Sequence, residues 1–388
     1  MSLQILRGNL ILPDRLLERG LLVIEDGLIG EVREGDTGDP TEDWGNCFIA
    51  PGFIDVHVHG IAGADTMDGG EGSLAAMAET LAHHGVTGFL PTTHTAPKDP
   101  VVKAIERVYL YMQRQEGLPG ARVLGAHMEG PWIAKEFKGA QNERYIALPT
   151  KESVNDMLAF HGRQVIKVVS LAPELAGAED AILTLRRNGI YVSLGHTGAT
   201  YEQALHAVAL GATHITHCFN AMKGLHHRHP GVVGAALILE QVFVELIADG
   251  VHVHPDVMRL LIRSKGREKI MLISDAIPAA GLPEGSYMFG GQEVCVHNGR
   301  ACLKDGTLAG STLTLDEAVR NIVRMCNMSI PDAVYMATAA PAEAMGLGEK
   351  KGKIRAGYDA DIAILDQDLQ PVEVLIAGEK QFGSGNEI

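Results

Sequence analysis

The chain has 388 residues, of which 46% are hydrophobic and 21% charged, an ordinary composition for a globular protein. Its formal net charge of −15, without any basic stripe, argues against a nucleic-acid partner. An anionic small molecule remains compatible with this charge, because a local cluster of Arg and His can form a positive pocket on an acidic protein.

The cysteines and the N-terminal segment bear on the compartment. The five cysteines form no CxxC pair, and the N-terminal MSLQILRGNLILPDR interrupts its apolar residues with Arg and Asn and has no small-residue cleavage signal. We therefore expect reduced thiols, an N-terminal strand in place of a signal peptide, and a cytoplasmic location. No apolar run approaches the roughly 18 residues that a membrane helix needs.

Both ends of the chain have the same β-like texture. Short apolar runs with turn residues fill LQILRGNLILP and LLVIEDGLIGEV near the start, and GKIRAGYDADIAILD and PVEVLIAGEKQF near the end. The length suits one large domain and a small one. We predict a composite β-sandwich domain from residues 1–50 and 350–388, beside a central domain of residues 51–349.

The central residues alternate between apolar runs and helical segments. The eight runs are IAPGFIDVHV, TGFLPTTH, RVLGAHME, VIKVVSLAPE, IYVSLGHT, THITHCFN, FVELIADG and IMLISDA. Strands alternating with helices imply parallel pairing, and eight repeats predict an α/β fold, a closed (β/α)₈ TIM-type barrel. An open doubly wound sheet is the alternative, which the absence of a Gly-rich dinucleotide turn after the first run disfavours.

Polar residues that could carry chemistry stand at the ends of these runs. The carboxyl ends of barrel strands meet at one mouth, where active sites are built. Two of the residues lie at alternate positions of one predicted strand, so their side chains share a face. The set consists of His57, His59, Glu129, His196, His217 and Asp275.

Four imidazoles and two carboxylates without a cysteine suit one or two divalent cations, Zn²⁺ or Fe²⁺. Glu129 could bridge two ions through its two oxygens. Such an ion lowers the pKa of a bound water to about 7, and Asp275 could act as the base that takes the water proton. Hydrolysis is the chemistry this set favours. Taken singly, a strand-end His can also be a satisfied polar residue, and Asp275 can be a turn or N-cap residue.

Whole motifs resemble a known family. APGFIDVHVHG and GKIRAGYDADIAILD are similar to the amidohydrolase superfamily, with its terminal β-sandwich around a metal-binding barrel. Within it, HMEGPW, SLGHTGAT, THCFNAM, ADGVHVHP and GTLAGSTLT resemble the N-acetylglucosamine-6-phosphate deacetylases. The resemblance covers nearly the whole chain. It implies hydrolysis of the acetamide of a phosphorylated amino sugar, with Glu129, His196 and His217 as metal ligands and Asp275 as the catalytic acid/base.

The resemblance also implies substrate contacts. In that family a loop of the neighbouring subunit helps to bind the phosphate, so LHHRHP implies a homodimer with shared sites; from the residues alone, this segment is a solvated turn. Some family members replace the HxH pair and keep one ion, so the retained His57 and His59 favour capacity for two. The implied contacts are Ala140, Gln141, Asn220, Ala221, His227, Arg228, His252, Leu308, Ala309 and Gly310.

Three further points stay open at this stage. Gln141 stands where some family members carry a histidine thought to polarise the acetyl carbonyl, and an amide can donate a hydrogen bond but not a proton. Another hydrolase of the same superfamily, such as a cyclic amidase or deaminase, is the nearest rival function. A non-catalytic barrel is a rival function of another class. It predicts that some of the candidate ligand positions lack a suitable residue, whereas in this sequence every one of these positions is filled.

Overall fold

The computed structural model describes residues 3–35, 40–70, 72–159 and 162–383. The strands in these ranges are β1 (Leu3–Ile11), β2 (Leu16–Glu25), β3 (Leu28–Arg33), β4 (Glu42–Pro51), β5 (Phe53–Val58), β6 (Gly60–Ile61), β7 (Ala64–Asp65), β8 (Val86–Thr93), β9 (Arg122–Val123), β10 (Ala126–Glu129), β11 (Ile166–Leu171), β12 (Tyr191–Leu194), β13 (His214–Ile215), β14 (Phe243–Ile247), β15 (Ile270–Ile273), β16 (Gly285–Phe289), β17 (Gln292–His297), β18 (Arg300–Cys302), β19 (Ile362–Leu365), β20 (Pro371–Ile376) and β21 (Glu379–Gly383).

The α-helices of the same ranges are α1 (Ser73–His83), α2 (Lys98–Arg114), α3 (Lys151–Leu158), α4 (Gly162–Val165), α5 (Ala178–Arg187), α6 (Tyr201–Ala209), α7 (Gly231–Ile238), α8 (Pro255–Lys265), α9 (Leu315–Cys326), α10 (Ile330–Ala337) and α11 (Ala339–Ala344). Short 3₁₀ helices occupy Lys135–Phe137, Glu143–Tyr145 and Arg267–Lys269. None of these described helices combines the length and the apolar character that crossing a membrane requires.

A parallel barrel forms the centre of the molecule. Its strands follow the order β5, β8, β10, β11, β12, β13, β14, β15, and the backbone N–H of Asp275 closes the ring by donating to the carbonyl of His57 at 2.9 Å. The strands are almost wholly buried because helices cover them outside, each helix through one apolar stripe. In α2, for example, Val101, Ala104 and Val108 are buried. The predicted fold class is confirmed.

Strands from both ends of the chain form a second, mixed sheet. Its order is β21, β20, β19, β4, β1, β2, β3, and all seven strands are joined in one hydrogen-bonded sheet. The two halves of this sheet share one core, which includes Leu6, Ile24, Ile49, Ile364 and Leu375. The boundaries 1–50, 51–349 and 350–388 stay a prediction.

A three-stranded antiparallel sheet, which the sequence analysis did not predict, lies between the last barrel strand and α9. It consists of β16, β17 and β18, joined by the two-residue turns Gly290–Gly291 and Asn298–Gly299. All four turn residues have positive φ, as type I′ hairpin turns require. One face of this sheet packs on Ile277, beyond the end of β15, and thereby reaches the mouth of the barrel.

Candidate active site

The candidate ligands reach the mouth of the barrel through sharp backbone turns at the strand ends. His57 lies within β5 and Glu129 ends β10, whereas His196, His217 and Asp275 follow β12, β13 and β15. The latter three have φ values of 49°, 26° and 49°. Such values are uncommon for residues other than glycine, and they concentrate at functional sites where the surrounding structure enforces them.

Glu129 is the centre of the cluster. Its Oε1 lies 3.1 Å from Nε2 of His196 and 3.0 Å from Nε2 of His217. Nε2 of His57 lies 3.5 Å from the same Oε1, and Nε2 of His59 lies 3.4 Å from Oε2. Among the described residues, three buried groups could hold a cation. Two of them share Glu129, one with His57 and His59 and one with His196 and His217, and the third consists of His57, His127 and Glu245.

Three of the four imidazoles are oriented by a hydrogen bond from Nδ1. His57 Nδ1 donates to Glu245 at 2.9 Å, His59 Nδ1 to the carbonyl of Thr92 at 3.2 Å, and His196 Nδ1 to the carbonyl of Phe137 at 2.8 Å. A donor bond from Nδ1 leaves the Nε2 lone pair free for a metal, and such contacts commonly support metal-binding histidines. Nδ1 of His217 is buried, and it has no hydrogen-bond partner among the residues that the structure describes.

The donor atoms fit a divalent cation. Nε2 of His57 and His59 lie 3.4 Å apart, and those of His196 and His217 lie 3.2 Å apart, so neutral lone pairs would repel unless a cation or proton lay between them. Burial alone lowers the pKa of both His59 and His217, but the nearby carboxylates outweigh it and raise these pKa values to about 10 and about 9. A metal ion displaces such protons because its imidazole ligands are neutral.

Asp275 borders this cluster with its carboxylate ionised. Its Oδ1 lies 3.4 Å from Nε2 of His57 and 3.3 Å from Nε2 of His59. Burial raises the pKa of Asp275, but the charges of the two imidazoles and the hydrogen bond with His59 outweigh this and lower it to about 2. The group is therefore a carboxylate at neutral pH and can accept a proton.

Seven of the predicted substrate contacts line a cavity of about 250 Å³ beside the cluster. Ala309 is buried behind it, in the core of the three-stranded sheet. His227 and Arg228 are exposed and do not line the cavity of their own chain. The substrate roles of all these residues stay predictions. The seven lining residues are Ala140, Gln141, Asn220, Ala221, His252, Leu308 and Gly310.

The side chain of Gln141 has a defined orientation. Its Oε1 accepts a hydrogen bond from the backbone N–H of Thr95 at 2.7 Å, and since a backbone N–H can only donate, the amide nitrogen must face the other way. That nitrogen donates to Oε2 of Glu129. On the opposite wall, His252 Nδ1 lies 2.6 Å from Asp249, which orients the ring.

Sequence reasoning missed two contributors to the site. Glu245 in β14 accepts hydrogen bonds from Nδ1 of His57 and, at 3.1 Å, from the backbone N–H of His217. The available signal was a lone acid inside the apolar run FVELIA, which is costly to bury unless it is paired. Phe289 lines the cavity from the three-stranded sheet, which the Gly-Gly and Asn-Gly turns would have indicated.

The barrel and the cluster around Glu129 are typical of metal-dependent hydrolases. Comparison with known proteins supports the same class. The amidohydrolase family matches residues 48–382. The chain belongs to the amidohydrolase family, and the expectation of a hydrolase that cleaves an amide is confirmed.

More specific relatives lie within that family. The N-acetylglucosamine-6-phosphate deacetylase of Vibrio furnissii is 41% identical over 334 residues, covering 86% of this chain and 83% of the relative. The N-acetylgalactosamine-6-phosphate deacetylase of Escherichia coli is 42% identical over 332 residues, covering 85% of this chain and 87% of the relative. The Mycobacterium smegmatis N-acetyl-D-glucosamine-6-phosphate deacetylase, solved with N-acetyl-D-glucosamine-6-phosphate, superposes with a TM-score of 0.92 at 32% identity, covering 98% and 100%. The resemblance noted in the sequence is confirmed.

Proposed function

We propose that this chain hydrolyses the acetamide of N-acetyl-D-glucosamine 6-phosphate to D-glucosamine 6-phosphate and acetate, in the catabolism or recycling of amino sugars. The observation that carries the proposal is the cluster centred on Glu129, with Asp275 beside it, at one end of a cavity lined by the predicted substrate contacts. The similarity to deacetylases of phosphorylated amino sugars over more than four fifths of the chain supports the choice of substrate.

Five side chains would hold the metal. The donor set of nitrogen and carboxylate oxygen suits Zn²⁺ or Fe²⁺, and the two groups that share Glu129 suit one or two ions. When bound, such an ion polarises the acetamide carbonyl and lowers the pKa of water to about 7. The five side chains are His57, His59, Glu129, His196 and His217.

Asp275 acts as the acid and the base. Its carboxylate accepts a proton from the attacking water and later donates that proton to the leaving nitrogen, so that the amine departs neutral. The carboxylate is ionised at neutral pH, which is the state that accepts a proton. Asp275 is buried beside His57 and His59.

Gln141 assists at the carbonyl oxygen. Its amide nitrogen carries two hydrogens, of which one is donated to Glu129. We assign the second hydrogen to the oxygen of the substrate carbonyl, where a fixed donor stabilises the negative charge that develops during attack. The bond from Thr95 holds the amide in the required orientation.

His227 and Arg228 bind the phosphate of the substrate held by a neighbouring subunit in a homodimer. Arg228 Nη1 lies 2.7 Å from His227 Nε2 in an exposed loop, and a guanidinium matches phosphate oxygens well. Arg228→Ala should chiefly raise KM for the phosphorylated sugar. An equal rise for the unphosphorylated sugar, measured in parallel, would contradict the phosphate role.

A cytoplasmic location is part of the proposal. All five cysteines are free thiols, including Cys295 and Cys302, which are paired positions on the neighbouring strands β17 and β18. Persistent free thiols are typical of reducing compartments.

One assay decides the substrate. Acetate release is measured for the metal-loaded enzyme with N-acetylglucosamine 6-phosphate, N-acetylgalactosamine 6-phosphate and unphosphorylated N-acetylglucosamine, and ring opening of a cyclic amide is measured separately. We expect the highest kcat/KM for N-acetylglucosamine 6-phosphate. The relative that is 42% identical makes the galactosamine sugar the second candidate, and a higher kcat/KM for that epimer would reassign the substrate. Turnover of the cyclic amide alone would overturn the deacetylase function.

A further inference from the structure

Phe289 separates the candidate active site from a second cleft. Its side chain lines both the cavity of about 250 Å³ and a neighbouring cleft of about 390 Å³. The ring centroid lies 5.2 Å from that of His59 on one side and 5.3 Å from that of His94 on the other, in edge-to-face contacts. Phe289 is therefore the partition between the two spaces.

This partition is held in place by the hairpin that carries it. Phe289 is the last residue of β16 and pairs with Gln292 across the turn Gly290–Gly291. Gln292 Nε2 donates to the carbonyl of Ala140 at 2.7 Å, which ties the hairpin to a second segment that lines the cavity. The ring is only 6% exposed and packs in the same core as Ile277. Such a side chain cannot turn aside without breaking this packing.

Because Phe289 lies beside the candidate metal ligand His59, its position indicates which part of the substrate its ring would face. In the proposed function, on which this inference rests, the carbonyl oxygen of the acetamide lies at the metal ligands and its nitrogen leads to the sugar. The acyl chain therefore extends in the remaining direction. Phe289 contacts His59 directly and lines the cavity with a large apolar ring. We propose that Phe289 closes the acyl pocket and restricts this enzyme to the acetyl group.

The second cleft shows what would enter if the ring were removed. Its walls include Met67, Pro278 and Met288, which suit an apolar chain. Asp65 and Asp68 also line it, so a neutral acyl group is favoured over one that ends in a carboxylate. Without the ring, the two spaces become one continuous pocket.

The experiment compares N-acetyl, N-propanoyl and N-butanoyl derivatives of the hexosamine 6-phosphate by kcat/KM for amine release. In the wild type we expect a fall of about tenfold or more for each added methylene, the range in which apolar pockets discriminate. Phe289→Ala should raise the ratio of butanoyl to acetyl kcat/KM by about tenfold or more, and Phe289→Leu by less. The matched control is Leu303→Ala, which shortens an apolar side chain packed on the same core but lining neither the cavity nor the cleft, and which should leave the ratio unchanged.

Several results would overturn the inference. Equal kcat/KM of the wild type for the butanoyl and the acetyl amide would overturn the inference, whatever the variants do. An unchanged ratio of butanoyl to acetyl kcat/KM in a Phe289 variant would also overturn it, provided that the thermal melting and metal content of the variant match the wild type. If Phe289→Ala does not fold, Phe289→Leu is the variant that tests the inference. A wild type without activity on any acetylated hexosamine 6-phosphate contradicts the proposed function and not the partition.

Discussion

The two sides of the ligand cluster are built in different ways. His57 and His59 come from a single stretch at the end of β5, where the two-residue period of a strand gives them a common face. His196 and His217 come from two separate strand ends, each with positive φ. Pairing of the neighbouring strands β12 and β13 brings these two together, with Glu129 joining both sides.

The support behind each side differs as well. On the His57 side, the carboxylate of Glu245 accepts a hydrogen bond from the imidazole Nδ1, whereas on the other side it accepts one from the backbone N–H of His217. A carboxylate behind a histidine makes it a more basic ligand. Glu245 thus supports both sides, through a side chain on one and through the backbone on the other.

The largest effect should come from removing the residue that the two sides share. Glu129→Gln keeps the shape but loses the negative charge that both groups use, so we expect metal content to fall on both sides and kcat/KM to drop by more than about 10⁴-fold. Elemental analysis and acetate release measure the two quantities. Normal metal content in this variant would show that Glu129 is not the common ligand.

Asp275→Asn should separate chemistry from metal binding. The amide cannot accept the water proton, so we expect kcat to fall by about 10²- to 10⁴-fold while the metal content stays at the wild-type value. Metal content is measured on the same preparation. Substantial residual turnover with full metal content would refute the acid/base role.

A pair of histidine variants compares the two sides directly. His57→Asn and His196→Asn should each lower the bound metal toward one equivalent per chain, but His196→Asn should reduce kcat/KM by about tenfold more, because the family resemblance places the essential ion with His196 and His217. Metal titration followed by activity assays measures both. The opposite order of activities would place the essential ion on the His57 side.

The smallest effect should come from the carboxylate behind His57. Glu245→Gln should weaken metal affinity by about 10- to 100-fold, since the imidazole loses its charged partner. The matched control is Glu373→Gln, which alters another buried strand carboxylate, paired with Lys380 in the terminal sheet. The control should change thermal stability without changing metal affinity in a chelator competition. Equal metal affinity in Glu245→Gln and Glu373→Gln would show that Glu245 does not support metal binding.

The features that the sequence predicts are those encoded by residues close together in the chain. The HxH pair and the eight apolar runs are local periodic patterns, and the structure confirms the barrel that they predicted. Glu129 was readable because a charged residue ended an apolar run. These signals need no knowledge of which segments meet.

The parts that were missed depend on contacts between distant segments. Glu245 has a role only because β14 passes behind His57, and its own neighbours in the sequence give no metal-ligand spacing. Phe289 reaches the mouth through an insertion between β15 and α9, which the barrel repeat does not contain. The direction of the Gln141 amide depends on Thr95 from another loop. No single-segment pattern encodes such pairings.

The terminal sheet has a consequence for how the protein is made. Strand β19 pairs with β4, so β4 is synthesised more than 300 residues before the strand that covers its edge. Until then β4 presents an unpaired edge, which is prone to associate with other chains. Newly synthesised chains should therefore depend on chaperones until β19 has been made, and truncation just before β19 should yield aggregates even though the barrel is already encoded.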